Sequence, residues 1–184
     1  MPRKLQIEEL HRLNVPDFRA AEKLALDVVL DNVRSLYNVG SIFRTADAFR
    51  VRRLHLCGIT AQPPHPEIHK TALGAELSMD WRYHPTALEA VRELQTEGFI
   101  VYALEQTEGS ILLPNAALQP PTGAEEGIQG IALVVGHEVH GVAQEVVDLC
   151  DGCLEIPQFG TKHSLNVACA TAIATWEMAR GKRW

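Results

Sequence analysis

Asn38, Arg44, Glu138, Ser164 and Asn166 are the residues of this 184-residue chain whose types and settings suit chemistry. Asn38 and Arg44 stand six residues apart in NVGSIFRTADAF, Glu138 lies in GHEVHG, and Ser164 and Asn166 share IPQFGTKHSLN. Guanidinium, amide and hydroxyl groups offer contacts suited to phosphate oxygens and sugar hydroxyls. Covalent attack has less support. His163 adjoins Ser164, but chain neighbours rarely face one another as base and nucleophile. No aromatic pair or cysteine nucleophile is evident in these loops to clamp or attack a base. Ser164 and Asn166 also have a plain reading, as caps at the first turn of the last helix.

Other chemistries lack their signatures. The dinucleotide pattern GxGxxG and the serine-hydrolase elbow GxSxG are absent. GHEVHGV has the glycine spacing of a phosphate loop, but Val142 stands where a lysine must reach the phosphates. Cys150 and Cys153 have redox or metal spacing without a second pair, so they are read as small buried hydrophobes. His65 and His69 in HPEIH have helical i, i+4 spacing behind Pro66, yet the sequence places no further ligands beside them. A solvated loop is expected there, and no metal.

The elements that must position these residues alternate in type. LALDVVL (24–30), RLHLCGI (53–59), DWRYH (80–84), FIVYALE (99–105), GIALVVG (130–136) and CLEIP (153–157) read as strands. Residues 39–49, 85–98, 141–150 and the terminal segment read as helices, with Gly98 a natural stop for the second. This alternation predicts an α/β fold with a mostly parallel sheet and helices on both faces. Residues 24–184 are expected to form one domain, residues 1–23 an amphipathic amino-terminal extension, and residues 118–127 a flexible surface connection. In such sheets ligands bind at the carboxyl ends of the strands, where Asn38, Glu138, Ser164 and Asn166 fall.

No apolar run approaches the ~20 residues needed to span a bilayer, and charges occupy the place of a secretory apolar stretch. A cytoplasmic protein without membrane contact is expected. The net charge of −6 argues against a nucleic-acid partner until its distribution is read. Residues 76–155 hold 14 Asp and Glu against two arginines, while the remainder holds 15 Lys and Arg against nine acids. Arg44, Arg50, Arg52, Arg53, Lys70, Arg180, Lys182 and Arg183 fall in that basic remainder. A segregated basic surface binds phosphates even on an acidic protein, because fields are local and screened.

The closing helix is unusual, since small or apolar side chains surround it from Val167 to Thr175. A surface helix shows one apolar stripe. Burial on every side is expected instead.

Three segments together carry a specific resemblance. NVGSIFRTADAF (38–49), LVVGHEVHGV (133–142) and IPQFGTKHSLNVACATAI (156–173) resemble the three motifs of the SpoU (TrmH-like) RNA 2′-O-ribose methyltransferases, in order and approximate spacing. The resemblance covers roughly residues 24–181. It implies S-adenosylmethionine as methyl donor, an RNA substrate (tRNA preferred over rRNA for so compact a chain), a homodimer, and a carboxy-terminal trefoil knot. The closing helix would then thread into the fold and pack against the partner subunit, with Ala168, Cys169, Ala172 and Thr175 allowing close backbone approach and Trp176 anchoring the far end. It further implies that Arg44 reaches the ribose hydroxyl in the other subunit's site, and that Asn38, Ser164 and Asn166 are site residues. Glu138 would order the site by accepting bonds from Asn or Arg, or take a proton. Donor contacts would fall on Leu104, Glu105, Gly136, Ile156, Ser164 and Leu165, many through backbone.

The chain departs from the family pattern in motif two, where Asn-Glu-Gly is replaced by His137-Glu138-Val139 with His140 following. Non-glycine residues at 139 and 140 are expected to alter the loop. The alternative to an enzyme is a non-catalytic RNA-binding or assembly protein that retains the fold.

Overall fold

In this computed structural model, residues 1–116 and 128–180 are described. The expected connection over 118–127, and Lys182 and Arg183, lie outside them. The strands are β1 (Leu24–Asp31), β2 (Val51–Cys57), β3 (Trp81–His84), β4 (Phe99–Leu104), β5 (Ile111–Leu112), β6 (Gly130–Val135) and β7 (Gly152–Glu155). The helices are α1 (Val15–Ala20), α2 (Leu36–Ala48), α3 (Pro66–Ala72), α4 (Ala75–Ser78), α5 (Ala87–Thr96), α6 (Gln144–Val147) and α7 (Val167–Ala179). All strand pairs among the described residues are parallel, in the order β3-β2-β1-β6-β4-β7-β5. The six expected strands are present. The seventh, β5, is a two-residue edge strand too short to leave a pattern.

The central strands are buried on both faces, as apolar parallel strands must be. Val28, Leu30, Leu54, Leu56, Leu133 and Val135 form a core with Ile42 and Phe43 of α2 and Ala174 of α7. Val29, Val101, Ala103, Ala132 and Val134 form a second with Ala90, Val91 and Leu94 of α5 and Val146 of α6. Helices therefore cover both faces. Leu133 is fully buried, so Leu133→Ala would cost roughly 2–5 kcal/mol. On the α5 side, Asp27 is also fully buried. It accepts two 2.6 Å bonds from Arg52 and contacts His55 at 2.8 Å, which meets His84 at 2.9 Å.

Local chemistry sets the helix ends. Ser35 caps α2 by accepting from Asn38 N, and Thr86 caps α5 by accepting from Glu89 N. Gly98, at φ +86°, turns the chain after α5. Gly40 permits close packing of α2 on α3, since a Cβ there would lie 2.3 Å from Ile68 O. The HPEIH segment is a helix, not a loop: Pro66 occupies its first turn and the His65 ring accepts from Glu67 N. His69 Nδ1 meets Glu76 Oε1 at 2.6 Å. Burial pushes the Cys150 thiol up to about 12, so this cysteine remains an unreactive thiol at neutral pH.

The single chain covers only part of α7. Its Val167, Ala168, Thr171, Ala174, Thr175 and Met178 are buried, but Cys169, Ile173 and Trp176 are exposed. One face of the helix is therefore open in the single chain. Trp176 at its far end is 57% exposed in the single chain and meets Phe49 edge-on, with ring centroids 5.9 Å apart.

Candidate active site

Four adjacent strands, β1, β6, β4 and β7, deliver their carboxyl-terminal loops side by side. Motif one follows β1, motif two follows β6, and motif three follows β7. Sequence order separates motif one from motif two by about a hundred residues, and strand order brings them together.

Glu138 joins the first two motifs. Its carboxylate accepts from Ser35 N at 2.8 Å, Arg34 N at 3.0 Å and Asn38 Nδ2 at 2.9 Å. These donors surround the start of α2, where free N–H groups and the helix dipole favour a negative charge. Burial pushes the Glu138 pKa up, but the Asn38 amide and the Arg34 and Ser35 N–H groups together hold it below the ordinary carboxylate value. Glu138 is thus ionised at neutral pH and occupied as an acceptor. Its expected bonds from Asn and Arg are both present, the second through backbone.

Asn38 carries the network onward. Its Oδ1 accepts from Asn166 Nδ2 at 3.1 Å, and Asn166 Oδ1 accepts from Ala168 N and Cys169 N to cap α7. One hydrogen-bond chain therefore ties all three motifs. Ser164 lies two residues before the cap, outside the first turn of α7. Capping falls to Asn166 alone.

A cavity of about 520 Å³ opens beside this network. Leu104, Glu105, Gly136, Ile156, Ser164 and Leu165 all line it, as does Glu138. Its volume falls in the ~300–1,000 Å³ range of small-molecule sites. Glu105, Glu138 and Glu155 contribute to its wall, while lysine and arginine are absent from the described lining. Acidic groups beside apolar Val135, Leu154 and Ile156 suit a positively charged organic ligand.

The structure does not bring Arg44 to this cavity. Six residues along a helix turn a side chain roughly 120° from Asn38 and carry it about 9 Å along the axis. Arg44 is exposed and lines a second cavity of about 500 Å³ with Ser41, Lys70 and Ala172. The expected basic surface is partly neutralised, because Arg52 pairs with Asp27, Arg53 with Asp80 and Lys70 with Glu67.

Sequence reading missed several supports. Glu105 turns its carboxylate onto Val142 N at 3.0 Å, and Asp31 accepts from Ala143 N at 3.1 Å, so motif two is pinned from two strands. Gln106 Nε2 donates to His163 O at 2.7 Å, tying the β4 loop to motif three. None of these left a local pattern, since each acts across 37 or more residues. The absence of an aromatic pair also needs revision: the rings of His137 and His140 stack with centroids 4.9 Å apart.

A sequence model of the SpoU rRNA Methylase family matches residues 25–176. A tRNA (guanosine(18)-2′-O)-methyltransferase of Thermus thermophilus is 33% identical over 178 residues, covering 97% of this chain and 82% of its own length. An AdoMet-bound rRNA methyltransferase structure from Sinorhizobium meliloti superposes with a TM-score of 0.77 at 26% identity, over 91% of this chain and 61% of that one. A structure concerned with the 2-OH methylation of C/U34 on tRNA superposes at 0.70 with 28% identity, over 84% of this chain and 94% of that one. The chain thus spans nearly all of one relative and about three-fifths of another.

Proposed function

Since this chain belongs to the SpoU rRNA Methylase family, we propose that it transfers a methyl group from S-adenosylmethionine to a ribose 2′-hydroxyl of RNA, with tRNA as the preferred substrate class. One observation carries the reading. The Glu138–Asn38–Asn166 chain locks three distant motifs against a cavity lined by every residue expected to hold the donor. The acidic lining without cations matches a sulfonium, and the apolar wall from Val135, Leu154 and Ile156 matches an adenosyl group. Leu104, Glu105, Gly136, Ile156, Ser164 and Leu165 would hold it. When bound, S-adenosylmethionine supplies a methyl group on a good leaving group.

The chain's own residues divide into two sets. Asn38, Glu138 and Asn166 engage one another and the backbone, so they position the loops. Occupied by three donors and held ionised, Glu138 is a poor proton acceptor. Ser164 and Arg44 are exposed and available to substrate. Arg44, always protonated, holds phosphate and ribose by charge-assisted bonds and stabilises the oxygen as its proton passes to solvent water.

Because Arg44 points away from its own cavity, it acts in the site of a second copy. The open faces of α2 and α7, with Arg44, Ile173 and Trp176 exposed, support a homodimer through that region. The carboxy-terminal segment is proposed to thread as a trefoil knot, a reading supported by the passage from β7, inside the sheet, back to α7 against α2. Residues 24–184 form the methyltransferase domain and residues 1–23 an extension. Among the described residues, no helix is long and apolar enough to cross a membrane, and a cytoplasmic setting suits an RNA substrate.

The test is product analysis. The protein is incubated with methyl-labelled donor and bulk tRNA from a strain lacking the gene, then the RNA is hydrolysed in alkali. Label is expected in alkali-resistant dinucleotides, because 2′-O-methylation removes the nucleophile of base cleavage. Label on a nucleobase, or binding of RNA without transfer, overturns the reading.

A further inference from the structure

The sequence between Gly136 and Gly141 closes on itself. His137 N donates to Gly141 O at 3.0 Å, and Gly141 N donates to His137 O at 2.8 Å. Gly141 takes the positive φ of +67° that this closure requires. Two histidines three residues apart are thereby folded onto the same side. Their rings lie 4.9 Å apart, centroid to centroid, with planes inclined by 27°. His137 Nδ1 accepts from Val139 N at 3.0 Å, which fixes the inner ring. His140, the outer ring, is exposed, and both rings line the mouth of the donor cavity.

We propose that the His137–His140 stack is a platform on which the base of the target nucleotide rests, so that His140 is a substrate-positioning residue. This rests on the RNA methyltransferase reading given above. Imidazole is among the side chains on which unstacked RNA bases lie, and a ring backed by a second ring is held flat for that purpose. The adenine of the donor is the competing occupant. Location favours the RNA base: Gly136 is buried at the inner end of this loop, whereas Val139 and His140 are exposed at its outer end. Stacking tolerates any base, so the platform contributes affinity and orientation, not base identity.

The test uses the full-length chain, bulk tRNA from the deletion strain and S-adenosylhomocysteine. His140→Ala is expected to raise the KM for tRNA about tenfold. S-adenosylhomocysteine affinity by calorimetry, and the position of the methyl group, should be unchanged. His140→Phe should restore KM to within about twofold of wild type. An unchanged KM in the alanine variant overturns the platform. So does a parallel loss of S-adenosylhomocysteine affinity, which would assign the rings to the donor. A phenylalanine variant as poor as alanine also overturns it, because ring nitrogens and not a flat face would then matter. If wild type itself transfers no methyl group to tRNA, the underlying function reading fails instead.

Discussion

Replacing Glu138 with Gln separates two roles that a carboxylate near a ribose hydroxyl can have. In the native network one oxygen serves Ser35 N and Asn38 Nδ2, and the other serves Arg34 N. The Gln carbonyl keeps the first pair, while its amide then faces the Arg34 N–H donor to donor. A hydrogen bond to a charged group contributes roughly 1.5–3 kcal/mol, and the two that remain become neutral and weaker. Arg34 is exposed, so water recovers part of its lost bond. A net cost of about 1–2 kcal/mol follows. For a chain of this size that lowers Tm by about 2–8 °C.

The pH dependence has a definite sign. Bonding holds the native Glu138 pKa below its ordinary value, so the folded chain binds fewer protons than the unfolded chain in that range. The stabilisation is complete above the ordinary Glu pKa of about 4.3 and is lost as pH falls through the lower native value. The gap in Tm between wild type and Glu138→Gln should therefore be largest near neutrality and shrink below that point. Methyl transfer should stay within about tenfold of wild type, against the 10²–10⁴-fold that general-base catalysis typically contributes. Calorimetric melts from pH 3.5 to 8 and single-turnover methylation check both. A variant that melts with wild type while transfer falls about a thousandfold would show Glu138 to be the proton acceptor.

Arg44→Ala should reduce methyl transfer at least about a hundredfold with little change in S-adenosylhomocysteine affinity, since Arg44 lines a different cavity from the donor residues. Arg44→Lys should also be poor, because a point charge does not reproduce a planar fork; near-normal turnover would remove the assigned role. Ala172→Arg places a charge beside Arg44 in the proposed dimer interface, at a cost of several kcal/mol when unpaired, and should yield monomers by light scattering. Thr175 Oγ1 is buried without a hydrogen-bond partner among the described residues, unlike Thr171 Oγ1, which donates to Val167 O at 2.7 Å. Thr175→Val should therefore melt at or about 2–4 °C above wild type, and a fall of that size would reveal a missed partner.

The parallel strands were legible because fully buried strands read as apolar runs, as in LALDVVL and GIALVVG. Their lateral order was not. Nothing local in β1 and β6 states that they are neighbours 100 residues apart, yet that adjacency assembles the site. Asn38, Glu138 and Asn166 were found through motif resemblance, and the structure adds how they meet. HPEIH was misread because one proline and one histidine cap decide a seven-residue helix without a long apolar period to announce it. Which face of α7 the single chain leaves open is not local information either. Ile173 and Trp176 are apolar, and apolarity alone does not distinguish burial within a chain from burial against a second one.

The departures in motif two follow the same physics. Gly136, Glu138 and Gly141 keep the family pattern, and each is held by something side chains cannot replace. A Cβ on Gly136 would sit 2.1 Å from Gly141 C, and one on Gly141 would sit 2.0 Å from Glu105 Oε2. Glu138 ties the loop to the start of α2. Position 137 contributes its backbone N–H and C=O to the closure, which any residue other than proline can do. Val139 and His140 do not take positive φ, and both are exposed. Glycine's conformational freedom is thus unnecessary at either. The anchored positions hold the loop in place, and 137 and 140, whose side chains the closure leaves open to choice, are where this chain has placed two facing rings.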